Sequence, residues 1–478
     1  MSADDENCRV CVKFKVGLRL ARYDKTTLSE KFLLPQKNTI VDKSSKMCYN
    51  RIWFRKPFCN ERNSIMAKTE KNNKKKKRKK WRRARHTVVE KILLRILRPI
   101  CKIKYGLTIE KFKDKDKGPY LVLYNHQTGY DQFFVGMPFK PPIYYVASED
   151  IFSMGFTSKI IKYLVEPIPI KKQTSDVSAV MNCMRVAKEG GTIAIAPEGN
   201  RTYSGKPVYI KPAIVGLIRA LKMPVAFVRI EGGFGVQPRW SDVIRKGKMK
   251  VRVASVLTQD EYKGMTDDEL LSHVKEELYV DEGRVTGEYH SKHLAEYLER
   301  AMYVCDDCGL SEFESKGDII KCKKCGKTIR YLPTKELVGV DKEFKFKFVS
   351  DWYDYQNDFI NSLDPKLYTD TPLYTEKVDF SEVILYKNKE LIEENATLEL
   401  YGDKITVSGE KLEKMTFNFD TVSAVAVLGK NKLNVYSGGR VYQIKGDKRF
   451  CALKYVNLCY RYKNMISEVA TDGCSLGI

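Results

Sequence analysis

Apolar residues follow two rhythms along this chain. Between about residues 108 and 300 they come in short runs that end in polar turns. The run 120–124, rich in β-formers, stops at Asn125 and His126; a Gly-containing turn follows, then Asp131 and Phe133, Phe134 and Val135. That order predicts a buried strand, a turn and the start of a helix. A second run, 192–196, passes into Pro197, Glu198, Gly199, Asn200, Arg201 and Thr202. Further strands are expected at 143–146, 168–170 and 225–230. Helices are expected after Asp176, with Val177, Val180, Met181, Met184 and Ala187 as a stripe ended by Gly190 and Gly191, and around 213–221. A Thr266/Glu269 capping box should open another helix through Leu278, and a last one is expected near 290–302. Strands alternating with helices predict an α/β domain over 108–300.

The flanks read differently. Val88, Val89, Ile92, Leu93, Ile96, Leu97 and Ile100 recur at helical spacing, with Glu90, Lys91, Arg95 and Arg98 off the stripe and Pro99 expected to kink or stop the helix. Beyond a connector (333–375), in which Trp352, Tyr353, Tyr355 and Phe359 read as an aromatic helix face, come seven short strand patterns. They lie at 383–386, 396–400, 405–407, 415–419, 422–428, 433–436 and 441–444, and a helix is expected from about 449 to 465. Seven strands and a closing helix resemble a pleckstrin-homology or GRAM-type domain over 376–470, which would imply lipid or protein binding.

Charge changes the picture at the N-terminal flank. The 478 residues carry a formal net charge of +25, which calls for an anionic partner such as a membrane surface, nucleic acid or an acidic protein. Residues 74–80 are an unbroken Lys/Arg run, followed by Trp81, Arg82, Arg83 and Arg85. A basic arm joined to an amphipathic basic helix, together 66–107, predicts docking on an anionic membrane; packing of the stripe on the domain is the competing reading. Residues 1–65 are expected to be poorly ordered or a gene-model extension. No basic or apolar leader opens the sequence, no run of apolar residues is long enough to span a bilayer, and the 13 Cys are odd in number. Together these predict a reducing, cytoplasmic setting on the membrane periphery.

Two constellations carry chemistry. If the turn after 120–124 folds back, Asp131 can accept the Nδ1 proton of His126 and leave Nε2 as a base. A loop histidine with Asp131 as a helix cap is the alternative for that pair alone. The second polar strand end, at 197–202, suggests that the two turns share a cleft. Here the chain resembles the 1-acylglycerol-3-phosphate (lysophosphatidate) acyltransferases. Asn125, His126 and Asp131 stand as their Asn-His-x4-Asp signature, and Pro197–Thr202 as their Pro-Glu-Gly-Thr-Arg-Ser signature. Met223, Pro224 and Val225 match their Val-Pro-Val element, and the resemblance covers about 86–260. Lys171 and Lys172 stand where the family usually carries an Arg, and Asn200 where it carries a Thr.

The resemblance implies a membrane-surface enzyme that moves a fatty acyl group from an acyl-CoA or acyl-carrier-protein thioester to a lysophospholipid acceptor, giving phosphatidate. It implies His126 and Asp131 as the catalytic pair. Asn125, Lys171, Lys172, Glu198, Gly199, Asn200, Arg201 and Thr202 would then hold the acceptor.

The other constellation is Cys305, Cys308, Cys322 and Cys325, two Cys-x2-Cys pairs each followed by Gly. Four thiolates at this spacing favour a structural Zn²⁺ in a small zinc ribbon over 301–332, with strands at 319–320 and 329–331; an iron–sulfur centre is the alternative. A basic arm, a Trp and a zinc ribbon also fit a nucleic-acid-binding protein, and a lipid-binding scaffold with an inactive domain is a third reading. The former leaves the two strand-end signatures unexplained, and the intact His126 and Asp131 argue against the latter.

Overall fold

Strands flanked by helices on both sides must be apolar on both faces, and residues 121–124, buried throughout, meet that condition. The computed structural model describes residues 80–170, 176–284, 287–384 and 389–467. Its first sheet contains β1 (Leu107–Ile109), β2 (Leu121–Tyr124), β3 (Ile143–Ser148), β4 (Ile168–Ile170), β5 (Thr192–Ile195), β6 (Val225–Glu231) and β7 (Met249–Leu257). They lie in the order β1-β7-β6-β2-β5-β3-β4. Strand β2 is central and parallel to both β5 and β6, whereas β7 runs antiparallel to β6. The helices are α1 (Ala84–Tyr105), α2 (Asp131–Val135), α3 (Phe156–Leu164), α4 (Val177–Lys188), α5 (Ala213–Leu221), α6 (Gly233–Val236), α7 (Gln259–Lys263) and α8 (Asp267–Leu278).

Alternation along β2 feeds two cores. Leu121 and Leu123 pack with Cys183 and Val186 of α4, Ile218 of α5 and Val274 of α8. Val122 and Tyr124 pack on the opposite side with Leu94, Cys101 and Tyr105 of α1. The Thr266/Glu269 capping box is present and α8 follows it.

Several expectations change. Helix α1 runs through Pro99 to Tyr105, where Gly106 ends it in the left-handed region. Its domain-facing side is not the apolar stripe. His86, Glu90, Leu94 and Cys101 turn inward, while Val88, Ile92, Ile96, Ile100 and Ile103 are exposed. Polar contacts set that orientation: the Glu90 carboxylate accepts from Ile143 N at 2.9 Å, and His86 Nδ1 lies 3.1 Å from the Tyr144 hydroxyl. In α4 the inward residues are Ala179, Cys183 and Val186, and Val177 and Met181 face out. The helix expected near 290–302 is absent; only Leu298–Arg300 forms a 3₁₀ turn. Tyr297 takes φ +71°, its N–H is bound by Ser315 Oγ, and Ala295 N pairs with Gly317 O. Packing against the next domain thus overrides a helical apolar spacing.

The ribbon contains β8 (Val304–Cys305), β9 (Gly309–Leu310), β10 (Phe313–Lys316), β11 (Ile319–Cys322), β12 (Thr328–Tyr331) and β13 (Leu337–Gly339). Strand β13 extends its four-stranded antiparallel sheet beyond the expected limit at 332. The aromatic helix is α9 (Val349–Ser362).

Then come β14 (Tyr374–Val383), β15 (Lys389–Leu400), β16 (Lys404–Ser408), β17 (Met415–Asn418), β18 (Ala424–Leu428), β19 (Lys432–Ser437) and β20 (Arg440–Lys445), followed by α10 (Ala452–Ile466). The first of these strands is earlier than the expected 383–386, because Val378 and Phe380 already fill the core. The sheet order is β17-β16-β15-β14-β20-β19-β18, antiparallel throughout. One continuous core joins ribbon, α9 and this C-terminal sheet, and it also takes in Tyr203 and Trp240 from the first domain.

Residues 1–65, the arm 66–79, Lys171 and Lys172 lie outside the described residues. Among the described residues, no helix is long and apolar enough to cross a membrane.

Candidate active site

Backbone pairing of β2 with β6 ends at Tyr124, and the next side chain prolongs it. Asn125 Oδ1 accepts from Ile230 N at 2.7 Å and its Nδ2 donates to Ile230 O at 2.9 Å. The amide is buried and is engaged by that backbone, so it pins the strand exit. The chain then folds back, and His126 Nδ1 lies 2.7 Å from Asp131 Oδ2. Asp131 is the first residue of α2 and fully buried. Its carboxylate accepts from Gln127 N at 2.7 Å, Thr128 N at 2.9 Å and Thr128 Oγ1 at 2.6 Å. These donors stabilise an ionised carboxylate, which orients the imidazole and can stabilise its cation.

The turn after β5 holds this turn from the side. Glu198 Oε1 accepts from the backbone N–H of His126 at 3.1 Å, and Oε2 accepts from Val208 N at 3.0 Å. Thr202 N donates to His126 O at 3.3 Å. The backbone of His126 is therefore clamped on both its polar groups. Burial pushes the Glu198 carboxyl up to about 8, helped by the charge of Asp131 and opposed by the two N–H donors. Gly199 sits at φ +68° with open space where a Cβ would be, so glycine is required there for conformation and not for clearance. Thr202 turns its hydroxyl to the N–H groups of Ser204 and Gly205. Asn200 is half-buried in the same turn.

Arg201 points at the histidine turn. Its Nη1 lies 3.7 Å from the Cβ position of Gly129. Burial, and then the neighbouring Arg239, bring its guanidinium down to about 10. Arg239 Nη1 donates to Arg201 O at 2.8 Å, and its guanidinium stacks 4.2 Å from the Tyr203 ring. The two guanidiniums, with the Asp131 charge acting against their mutual repulsion, form a cationic corner beside His126. Gly233 lets the loop after β6 press on the histidine turn, since a Cβ there would meet Gln127 Cβ at 2.7 Å.

The structure thus brings Asn125, His126, Asp131, Glu198, Gly199, Asn200, Arg201 and Thr202 to one end of the sheet. Arg239 was missed in the sequence, where it is one basic residue among many after Pro238. Its proximity to Arg201 arises only from the fold.

The four expected metal-site cysteines also come together. Cys305 Sγ and Cys325 Sγ lie 3.7 Å apart, Cys308 Sγ and Cys322 Sγ 3.6 Å apart, and all four sulfurs lie within 4.8 Å of one another.

A family model described as Acyltransferase matches residues 106–231. The 1-acyl-sn-glycerol-3-phosphate acyltransferase of Bacillus subtilis (strain 168) is 22% identical over 191 residues, which are 39% of this chain and 92% of that protein. The crystal structure of the 1-acyl-sn-glycerophosphate (LPA) acyltransferase PlsC from Thermotoga maritima matches with a TM-score of 0.34 and 21% identity, covering 41% of this chain and 81% of its own.

Proposed function

Residues 106–231 match the Acyltransferase family model, and on that premise we propose that the chain transfers a fatty acyl group from a CoA or carrier-protein thioester to lysophosphatidate, giving phosphatidate. The observation that carries this reading is the His126–Asp131 pair at 2.7 Å with Arg201 and Arg239 beside it. In the reaction, His126 Nε2 takes the proton of the acceptor hydroxyl as its oxygen attacks the thioester carbonyl. Asp131 stabilises the imidazolium. The tetrahedral oxyanion then collapses, the C–S bond breaks, and the imidazolium returns the proton to the thiolate. Arg201 and Arg239 pair with the acceptor phosphate. Glu198 acts as a positioning residue, since both its oxygens are committed to backbone N–H groups. Lipid analysis after incubation with labelled acyl-CoA and a lysophospholipid panel tests this. Wild type should form phosphatidate and His126→Ala should not; undiminished transfer by a folded His126→Ala preparation free of host enzyme would sink the assignment.

The docking surface belongs to the same reading. The exposed stripe of α1 continues onto α3, where Phe156, Ile160 and Tyr163 are exposed. Arg85 joins the two, its Nε donating to Tyr163 O and its guanidinium 4.1 Å from the Tyr163 ring. Exposed Lys91, Arg95, Lys102 and Lys104 flank the stripe. An apolar ridge rimmed by cations suits the cytoplasmic face of an anionic bilayer. Ile92→Ser with Ile96→Ser should weaken binding to anionic vesicles about tenfold or more without lowering the melting temperature. Equal vesicle binding would remove α1 from the interface.

The cysteine site takes a structural Zn²⁺. Four sulfurs at Zn–S distances of about 2.3 Å lie about 3.8 Å apart in a tetrahedron, close to the separations seen here. Zinc analysis of pure wild type and Cys322→Ser decides it: one zinc per chain in the first and none in the second is expected, and no zinc in the first refutes it. The C-terminal sheet and α10 form a pleckstrin-homology-like module on the strength of their strand order and closing helix.

A further inference from the structure

The C-terminal sheet does not merely follow the first domain; it reaches its anion corner. The turn between β18 and β19 carries Lys430. Asn431 stakes this turn by donating to Gly446 O and Asp447 O at 2.9 and 2.8 Å. Lys430 Nζ lies 2.7 Å from Asp242 Oδ1. Asp242 belongs to the same turn as Arg239, since Ser241 N pairs with Pro238 O. That short turn therefore touches Arg201 at one end and Lys430 at the other.

We propose that Lys430 is a specificity-determining residue for the acceptor, a cation lent by the C-terminal domain to the phosphate site. This rests on the acceptor reading given above. Three observations favour it. First, Asp242 is already held without Lys430: Arg300 binds it through Nη1 at 2.7 Å and Nη2 at 3.2 Å. Lys430 can turn to an arriving anion without leaving that carboxylate unpaired.

Second, Arg300 cannot do the same. It is buried, and also donates to Trp240 O at 2.8 Å and Lys448 O at 2.6 Å. Lys430 keeps 30% of its side chain exposed, so of the two cations on Asp242 it is the one open to an arriving anion. Third, the charges share one field. Burial first, and then Arg300 and Arg201 against the pull of Asp242, hold the Lys430 ammonium below the usual lysine range. Cations that outnumber their one shared carboxylate, Asp242, gain most from a doubly charged phosphomonoester.

The test uses the full chain with Lys430→Met, Lys430→Arg and Lys430→Glu. The KM for lysophosphatidate should rise about tenfold in Lys430→Met and further in Lys430→Glu, and return near wild type in Lys430→Arg. The KM for acyl-CoA and the melting temperature should hold. An unchanged acceptor KM in Lys430→Met overturns the proposal. So does an equal rise in both KM values, which marks a structural role. Titration calorimetry with short-chain lysophosphatidate separates the two readings. If wild type transfers no acyl group yet binds this lipid tenfold tighter than Lys430→Met, the transfer reading fails and the Lys430 site stands. No binding by wild type ends both.

Discussion

The two turns that meet at the end of the sheet are built by opposite means. The turn after β2 closes largely on itself: Asp131 gathers His126, Gln127 and Thr128, all within five positions of it, and Glu198 and Thr202 add contacts to the His126 backbone. The turn after β5 closes on others. Glu198 reaches back to His126, Arg239 reaches in from another loop, and Tyr203 is buried in the core shared by the ribbon, α9 and the C-terminal sheet. A locally closed turn carries its geometry wherever its strand goes. A turn closed from a distance inherits the stability of whatever closes it, so the base and the anion corner answer to different parts of the molecule.

The sharpest way to test that division is Asp131→Asn. It preserves shape and removes the charge behind the imidazole, and kcat should fall by roughly 10³–10⁴, as expected for a triad carboxylate. Its melting temperature should move far less than its activity, and a collapse of the fold instead would mean that the first turn is not self-sufficient. Next in size is Tyr203→Ala. Removing a buried aromatic should cost about 3–5 kcal/mol of stability in denaturant unfolding, and the loss should spread to the ribbon and C-terminal sheet, read by hydrogen exchange. Loosening confined to the first domain would break the contrast.

The smallest effect is expected from Glu198→Gln. One of the amides it serves would face a side-chain NH₂, costing about 1–3 kcal/mol. The folded carboxyl sits at about 8 against 4.5 when unperturbed. It is therefore the protonated form that folding favours, and this stabilisation is complete below pH 4.5 and lost as pH rises toward 8. Unfolding free energies measured across that window should fall with pH more steeply in wild type than in Glu198→Gln; parallel curves would show that Glu198 is not the group responsible.

The same contrast explains what could be read from the sequence. The turn 125–131 was legible because its partners are neighbours, and so were the paired cysteines and the capping box at Thr266. Arg239 and Lys430 were not, because nothing near them in the chain marks their meeting with Arg201. Strands β1 and β7 were overlooked, although Met249, Val251 and Val253 alternate with charged or small residues. The spurious helix at 290–302 arose from apolar spacing that in fact serves contact with the ribbon. In α1 the stripe was legible and lies exposed, as the docking reading requires; what the sequence did not show is that buried Glu90 and His86 hold the opposite side inward.

The burial of Tyr203 has a consequence for the order in which the protein is made. Residues 106–257 leave the ribosome before the ribbon and the C-terminal sheet and hold the whole first sheet. The core that takes in Tyr203 also contains Trp352 and Cys451, which emerge later, on the order of 7–50 s after Tyr203 at roughly 5–20 residues per second. Until then the nascent chain has its histidine turn in place and its anion corner unsupported. A stretch translated later is thus what supports the site encoded before it.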